Sequence, residues 1–188
     1  MFTDGEITKI FRALSFAADK HRRQRRKDSE QTPYINHPIK VVETLWSQGG
    51  VHELDVILAC ILHDTVEDTD ASLAEIERVF GRAVSTLVAE VTDDKSLPKP
   101  ERKRLQVERA PQLSHGAKLI RLADKAWNVY DVAYAPPAHW PFERRVEYLT
   151  WTERVVAGLR GCNSSLEDFY DAALRDAKIR LATDAQRA

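Results

Sequence analysis

Val56-Ile57-Leu58-Ala59-Cys60-Ile61-Leu62-His63-Asp64-Thr65-Val66-Glu67-Asp68 joins an unbroken apolar run to one imidazole and three carboxylates. With every residue from Val56 to Leu62 apolar or small, the helix read from about Glu53 to Asp68 is buried on all sides. Polar groups at the end of a buried helix are costly unless something pairs them. On a 3.6-residue repeat His63 and Glu67 are neighbours four apart, as are Asp64 and Asp68. A bound cation is the most economical account of that convergence.

Helical rhythm continues in both directions. Ile7, Ile10, Phe11, Leu14, Phe16 and Ala17 mark a first helix within residues 5–27 that fades into a basic run. Pro33 and Pro38 force extended geometry on the residues before them, so Thr32–Pro38 is a connection. Pro38 opens a helix that stops at Gly49-Gly50. Ser72 with Glu75 reads as a capping box for a helix ending at Gly81. Further helices are expected over 83–91, 100–110, 114–131, 142–160 and 165–182, with loops over 95–99 and 136–141. Strand signals are almost absent. The expectation is an all-α, compact multi-helix bundle forming one domain over residues 1–188, with its core over about 5–160 and a C-terminal helix over about 165–182.

The 43% hydrophobic and 30% charged composition is that of an ordinary globular chain, and a net charge of −1 gives no overall attraction to nucleic acid or membrane. No apolar run is long enough to span a bilayer, and no secretory leader opens the chain. Two cysteines make no disulfide framework; Cys60 reads as a small core residue. The expected compartment is the cytoplasm. The oligomeric state stays open.

Two other segments carry ligand-type residues in unusual contexts. His37 is pinned between an extended segment and a helix start, and Asp124 punctures the apolar run Leu119–Trp127. With His63 and Asp64 they make two imidazoles and two carboxylates, a mixed nitrogen and oxygen set suited to Mn²⁺, Fe²⁺ or Zn²⁺; the lack of thiolates argues against a structural zinc. Singly each has a bland reading: a polar pair, a turn histidine, an aspartate paired with Lys125 or Lys118. Beside Glu67 and Asp68 the bland reading leaves too many carboxylates against an apolar helix.

In order and context, His37, His63-Asp64 and Asp124 resemble the HD phosphohydrolase superfamily. More narrowly the chain resembles the hydrolase domain of the Rel/Spo alarmone enzymes in its short stand-alone form, of the metazoan SpoT homologue type. The matching stretches are His21–Lys27, Thr32–Pro38, His63–Thr69, Glu90–Lys95, and Leu122–Lys125 with Asn128. The resemblance implies an HD-domain bundle with one Mn²⁺ per chain, held by His37, His63, Asp64 and Asp124. It implies removal of the 3′-pyrophosphate from guanosine tetra- and pentaphosphate, with Glu67 and Asp68 orienting and deprotonating the attacking water. That acidic pair lies close to like charges, which raises the cost of ionising it unless a cation is bound.

By the same resemblance Arg26 and Lys27 approach the base, Tyr34 packs near the nucleoside, and Asn128 helps hold ribose or phosphates. Six cationic side chains lie between Lys20 and Lys27. On a helix, Arg22 with Arg26 and Arg23 with Lys27 would be like-charge pairs that an anion relieves. A second basic cluster, Lys99, Arg102, Lys103 and Arg104, reads as partly surface and partly a site for distal phosphates. The family has Gly two residues before the Pro-Tyr pair where this chain has Gln31, so a positive φ there would strain the loop. The alternatives are a phosphatase on another phosphorylated nucleotide, such as the 2′-phosphate of NADPH, and a nucleotide sensor without catalysis. A nucleic-acid-binding module lacks support, because no aromatics interleave the basic run.

Overall fold

The computed structural model describes residues 2–187. The helices are α1 (Asp4–Lys20), α2 (Asn36–Ser47), α3 (Leu54–Leu62), α4 (Thr65–Asp68), α5 (Leu73–Phe80), α6 (Arg82–Val91), α7 (Lys99–Arg109), α8 (His115–Tyr134), α9 (Phe142–Ala157) and α10 (Ser164–Arg187). A single 3₁₀ turn, Ala110–Gln112, joins α7 to α8. Among the described residues no strand forms; the sole β feature is an isolated bridge between Arg25 and Pro33. The all-α expectation holds.

Local signals set most boundaries. Thr3 caps α1 by accepting the Glu6 amide while the Glu6 carboxylate accepts the Thr3 amide. Ser72 and Ser114 accept amides of Glu75 and Ala117 at the starts of α5 and α8. Pro38 sits in the first turn of α2, where its missing N–H costs nothing. Gly49 follows α2 because a Cβ there would stand 2.7 Å from the Leu45 carbonyl oxygen.

The core is built around α3. Val56 to Leu62 are all buried, as an apolar helix requires, and α1, α2, α6 and α8 surround it. Leu119, Ile120, Leu122, Ala123 and Ala126 of α8 join the same cluster. Packed along α8, α10 adds Leu166, Tyr170, Ala177 and Leu181 to that core, so it is integral to the bundle.

Two expectations fail. The basic run does not continue α1. The helix stops at Lys20, where the His21 amide closes on the Ala17 carbonyl, and the chain folds back through an Arg26 amide to Thr32 carbonyl bond. Arg22, Arg23, Arg26 and Lys27 therefore share no helical face, and the like-charge pairs do not exist. The helix read from Glu53 to Asp68 is also broken, at His63-Asp64. Side chains take the carbonyls there: His63 Nδ1 donates to Cys60 O at 2.7 Å, and Thr65 Oγ1 to Leu62 O at 2.7 Å. Beyond the break the short helix α4 restarts from Asp64, whose carbonyl accepts the Asp68 amide at 2.9 Å.

Candidate active site

The break turns His63 and Asp64 toward His37 from α2 and Asp124 from α8. His37 Nε2 lies 3.2 Å from Asp124 Oδ1 and 3.7 Å from Asp64 Oδ2. His63 Nε2 lies 3.2 Å from Asp64 Oδ2 and 3.8 Å from Asp124 Oδ1. Donors bound at about 2.0–2.2 Å to one ion cannot be more than about 4.4 Å apart, and all four of these separations meet that limit. The ligand atoms of His37, His63 and Asp124 all lie within 4.8 Å of one another. Asp64 is adjacent to both imidazoles but shares Oδ2 with the Tyr34 hydroxyl, which donates at 2.6 Å.

The chemistry of the set fits a divalent cation. With Nδ1–H committed to Cys60 O, His63 presents Nε2 inward, the tautomer of a metal-bound imidazole. That buried Nε2 has no hydrogen-bond partner, nor does His37 Nδ1. Burial works against a charged His63, but the Asp64 and Asp124 carboxylates outweigh it and push the imidazole up to about 9. His37, buried on the same cluster, moves the other way, and burial is the cause. Both aspartates, despite burial, are held below the ordinary carboxylate range, Asp64 by His63 and Asp124 by Lys125 and His37. Two ionised carboxylates at one buried point draw in positive charge, and a divalent ion supplies it more fully than a proton.

Asp124 is fixed from outside the cluster. Lys125 Nζ donates to its Oδ2 at 3.0 Å while lying 4.7 Å from the Trp151 ring centre, and Asn128 Nδ2 donates to Oδ1 at 2.5 Å. The pairing of Asp124 with Lys125 is thus real, but buried rather than on the surface.

The acidic pair after the break divides. Asp68 borders a cleft of about 360 Å³, held by Gln24 Nε2 at 3.1 Å and by Lys95. Glu67 points instead to the end of α6 and to α7: it accepts the Asp93 amide at 3.0 Å and lies 3.6 Å from Arg102. Burial, aided by Asp93 and Asp64, pushes Glu67 up to about 7. Glu67 thus takes its polar partners from α6 and α7, while the Asp64 charge still reaches it.

The same cleft collects the residues expected to meet substrate: Arg26, Lys27, Tyr34 and Asn128 all line it. Arg26 lies 5.5 Å from the Tyr34 ring centre and is ion-paired with Asp131, which fixes the guanidinium in place while it stays charged. Of the second basic cluster, Lys99 lines the cleft and Arg102 reaches Glu67, whereas Lys103 packs on Tyr148 and Trp151 and Arg104 pairs with Glu101 and Glu108 on the surface. Sequence reading missed Gln24, Asp131 and Tyr148, and it placed the Lys125 pairing on the surface. Asp131 had a signal, since 124, 128 and 131 share one helical face.

An all-α bundle that brings His37, a His63–Asp64 pair and Asp124 to one point is the arrangement of an HD-domain protein. The HD domain family profile matches residues 13–148. The chain belongs to that family, and within it is of the metazoan SpoT homologue type. It is 52% identical over 170 residues to guanosine-3′,5′-bis(diphosphate) 3′-pyrophosphohydrolase MESH1 of Xenopus tropicalis, spanning 90% of this chain and 95% of the relative. It is 54% identical over 163 residues to the Homo sapiens protein of the same name, spanning 87% and 91%. A solved structure of a metazoan ortholog of SpoT that hydrolyses ppGpp matches with a TM-score of 0.89 at 47% identity, over 93% of this chain and 97% of that one. No helix of the described residues is long and apolar enough to cross a membrane.

Proposed function

We propose that this chain is a guanosine-3′,5′-bis(diphosphate) 3′-pyrophosphohydrolase, converting guanosine tetraphosphate to GDP and pentaphosphate to GTP, with release of pyrophosphate. The observation that carries the reading is a buried His/Asp cluster joined through Tyr34 and Asn128 to a cleft lined by Arg25, Arg26, Lys27 and Lys99, in a chain that matches relatives of that name over nearly their whole length. The cation is Mn²⁺, one per chain, with His37, His63, Asp64 and Asp124 as its ligands. When bound it acidifies water and offsets charge on phosphoryl oxygens.

The chain's own residues supply the rest. Arg26, held on Asp131 and over Tyr34, offers a flat cation to a purine face, while Lys27 adds charge at the cleft. Tyr34 and Asn128 steady Asp64 and Asp124 and border the nucleoside. Glu67 and Asp68 orient the attacking water and take its proton. The water oxygen joins the pyrophosphate as its bond to the ribose 3′-oxygen breaks, and a proton returns to that oxygen. The working compartment is the cytoplasm, and neither nucleic acid nor a membrane takes part.

The test is Mn²⁺-dependent turnover of guanosine tetraphosphate, run beside NADPH and 5′-nucleotides with EDTA controls. GDP with intact pyrophosphate is the expected product pair. Faster release of phosphate from NADPH would move the substrate assignment to a 2′-phosphate. No turnover with Mn²⁺ demonstrably bound would sink the enzyme reading and leave a sensor.

A further inference from the structure

His21, at the end of α1, carries no role in the reading above, yet it is 2% exposed and its Nε2 has no partner. Its Nδ1 stands 2.6 Å from Gln24 Oε1, and Gln24 Nε2 stands 3.1 Å from Asp68 Oδ2. Its ring also stacks on Tyr34, centre to centre 4.7 Å, and the Tyr34 hydroxyl holds Asp64.

The direction of these bonds follows from what each group can do. An ionised carboxylate only accepts, so the Gln24 amide must turn its NH₂ toward Asp68. Its carbonyl oxygen then faces His21 and needs a donor, which places the imidazole proton on Nδ1. Nε2 is left as a bare lone pair, a smaller burden in a buried site than an orphaned N–H. With the other tautomer, two lone pairs would oppose each other at 2.6 Å and the amide would flip, turning its oxygen onto Asp68.

We propose that His21 is a positioning residue: as its Nδ1–H tautomer it locks the Gln24 amide, which in turn aims Asp68 at the reacting water. The proposal rests on the hydrolase reading for the part Asp68 plays. Lys95, on the other Asp68 oxygen, is half exposed and cannot set the carboxylate plane alone. The turn that ends α1 early is what brings Gln24 to Asp68, so the basic run's departure from the helix serves the site.

Two measurements test it. Nitrogen-15 NMR of the histidine side chains in the full chain reads the tautomer without reference to activity. Nδ1–H at His21 is expected; Nε2–H overturns the proposal. Kinetics then use His21→Phe, which keeps the stack on Tyr34 but removes the donor, and Gln24→Leu, a half-buried site that tolerates the change. Each should lower kcat by about 10-fold or more, the usual cost of losing an orienting partner, with KM and metal content unchanged. His21→Asn, whose amide nitrogen falls near the Nδ1 position, should recover most of the loss. In an Asp68→Asn background Gln24→Leu should add no further loss; an equal loss there overturns the proposal. Wild-type turnover by Asp68→Asn itself would instead overturn the role given to Asp68, while the tautomer still decides the hydrogen-bonded chain.

Discussion

At His63 a single side chain does two jobs, ending α3 through Nδ1 and presenting Nε2 to the cluster. Removing it, or Asp64, leaves an incomplete donor set. His63→Ala and Asp64→Ala should therefore lose turnover and bound metal together, read by elemental analysis of the purified variants. Arg26→Ala should keep the metal and raise KM, because Arg26 borders the cleft without touching the ligand cluster. Glu67 carries a pH signature. Its folded pKa is raised from the ordinary 4.5 to about 7, so the folded state holds a proton that the unfolded chain has released. In metal-free protein this group's contribution to stability falls as pH rises from about 4.5 to about 7 and stays low above that. Glu67→Gln should thus melt higher than the parent at pH 8 and close to it at pH 4, while losing turnover and retaining nucleotide binding. Melting curves at the two pH values check the sign.

At the scale of elements, the loop between α1 and α2 carries a conformational cost at a named position. Gln31 has φ of +50°, the sole non-glycine with positive φ among the described residues, where the family pattern has glycine. A side chain in that region costs roughly 1 kcal/mol, part of which glycine returns as unfolded-state freedom. Gln31→Gly should stabilise by about 0.5 kcal/mol on those two terms, with metal content unchanged; an unchanged or lower melting temperature would refute the strain. The loop's other features were not legible in sequence. Apolar spacing showed α1 and α2, but the stop at Lys20 depends on a return to Thr32 and Tyr34 that no helical rhythm encodes. The break at His63-Asp64 was equally hidden, because Leu62–Asp68 has helical spacing and only the side-chain bonds to Cys60 and Leu62 carbonyls interrupt it.

Across the whole molecule, the cluster joins three layers of the bundle, with α2, the α3–α4 break and α8 each contributing. Binding a cation there should tie these elements and stabilise the fold. Mn²⁺ should stabilise EDTA-stripped protein by about 2.7 kcal/mol at a hundredfold excess over Kd, read as a concentration-dependent rise in melting temperature. His37→Ala should abolish that rise. What the sequence by itself determined is what acts within a turn or two of chain: the cap at Ser72, the breaks at Gly49 and Pro33, the wholly apolar α3, and the ligand-type residues placed where burial would be costly. Tertiary structure alone decided which of those residues meet. His37 reaches Asp124 across 87 positions and Arg26 reaches Asp131 across 105, and Glu67 and Asp68, adjacent in sequence, face different neighbours. Local propensity has a range of a few residues, whereas these encounters follow from how α2, α3 and α8 bury their apolar faces against one another.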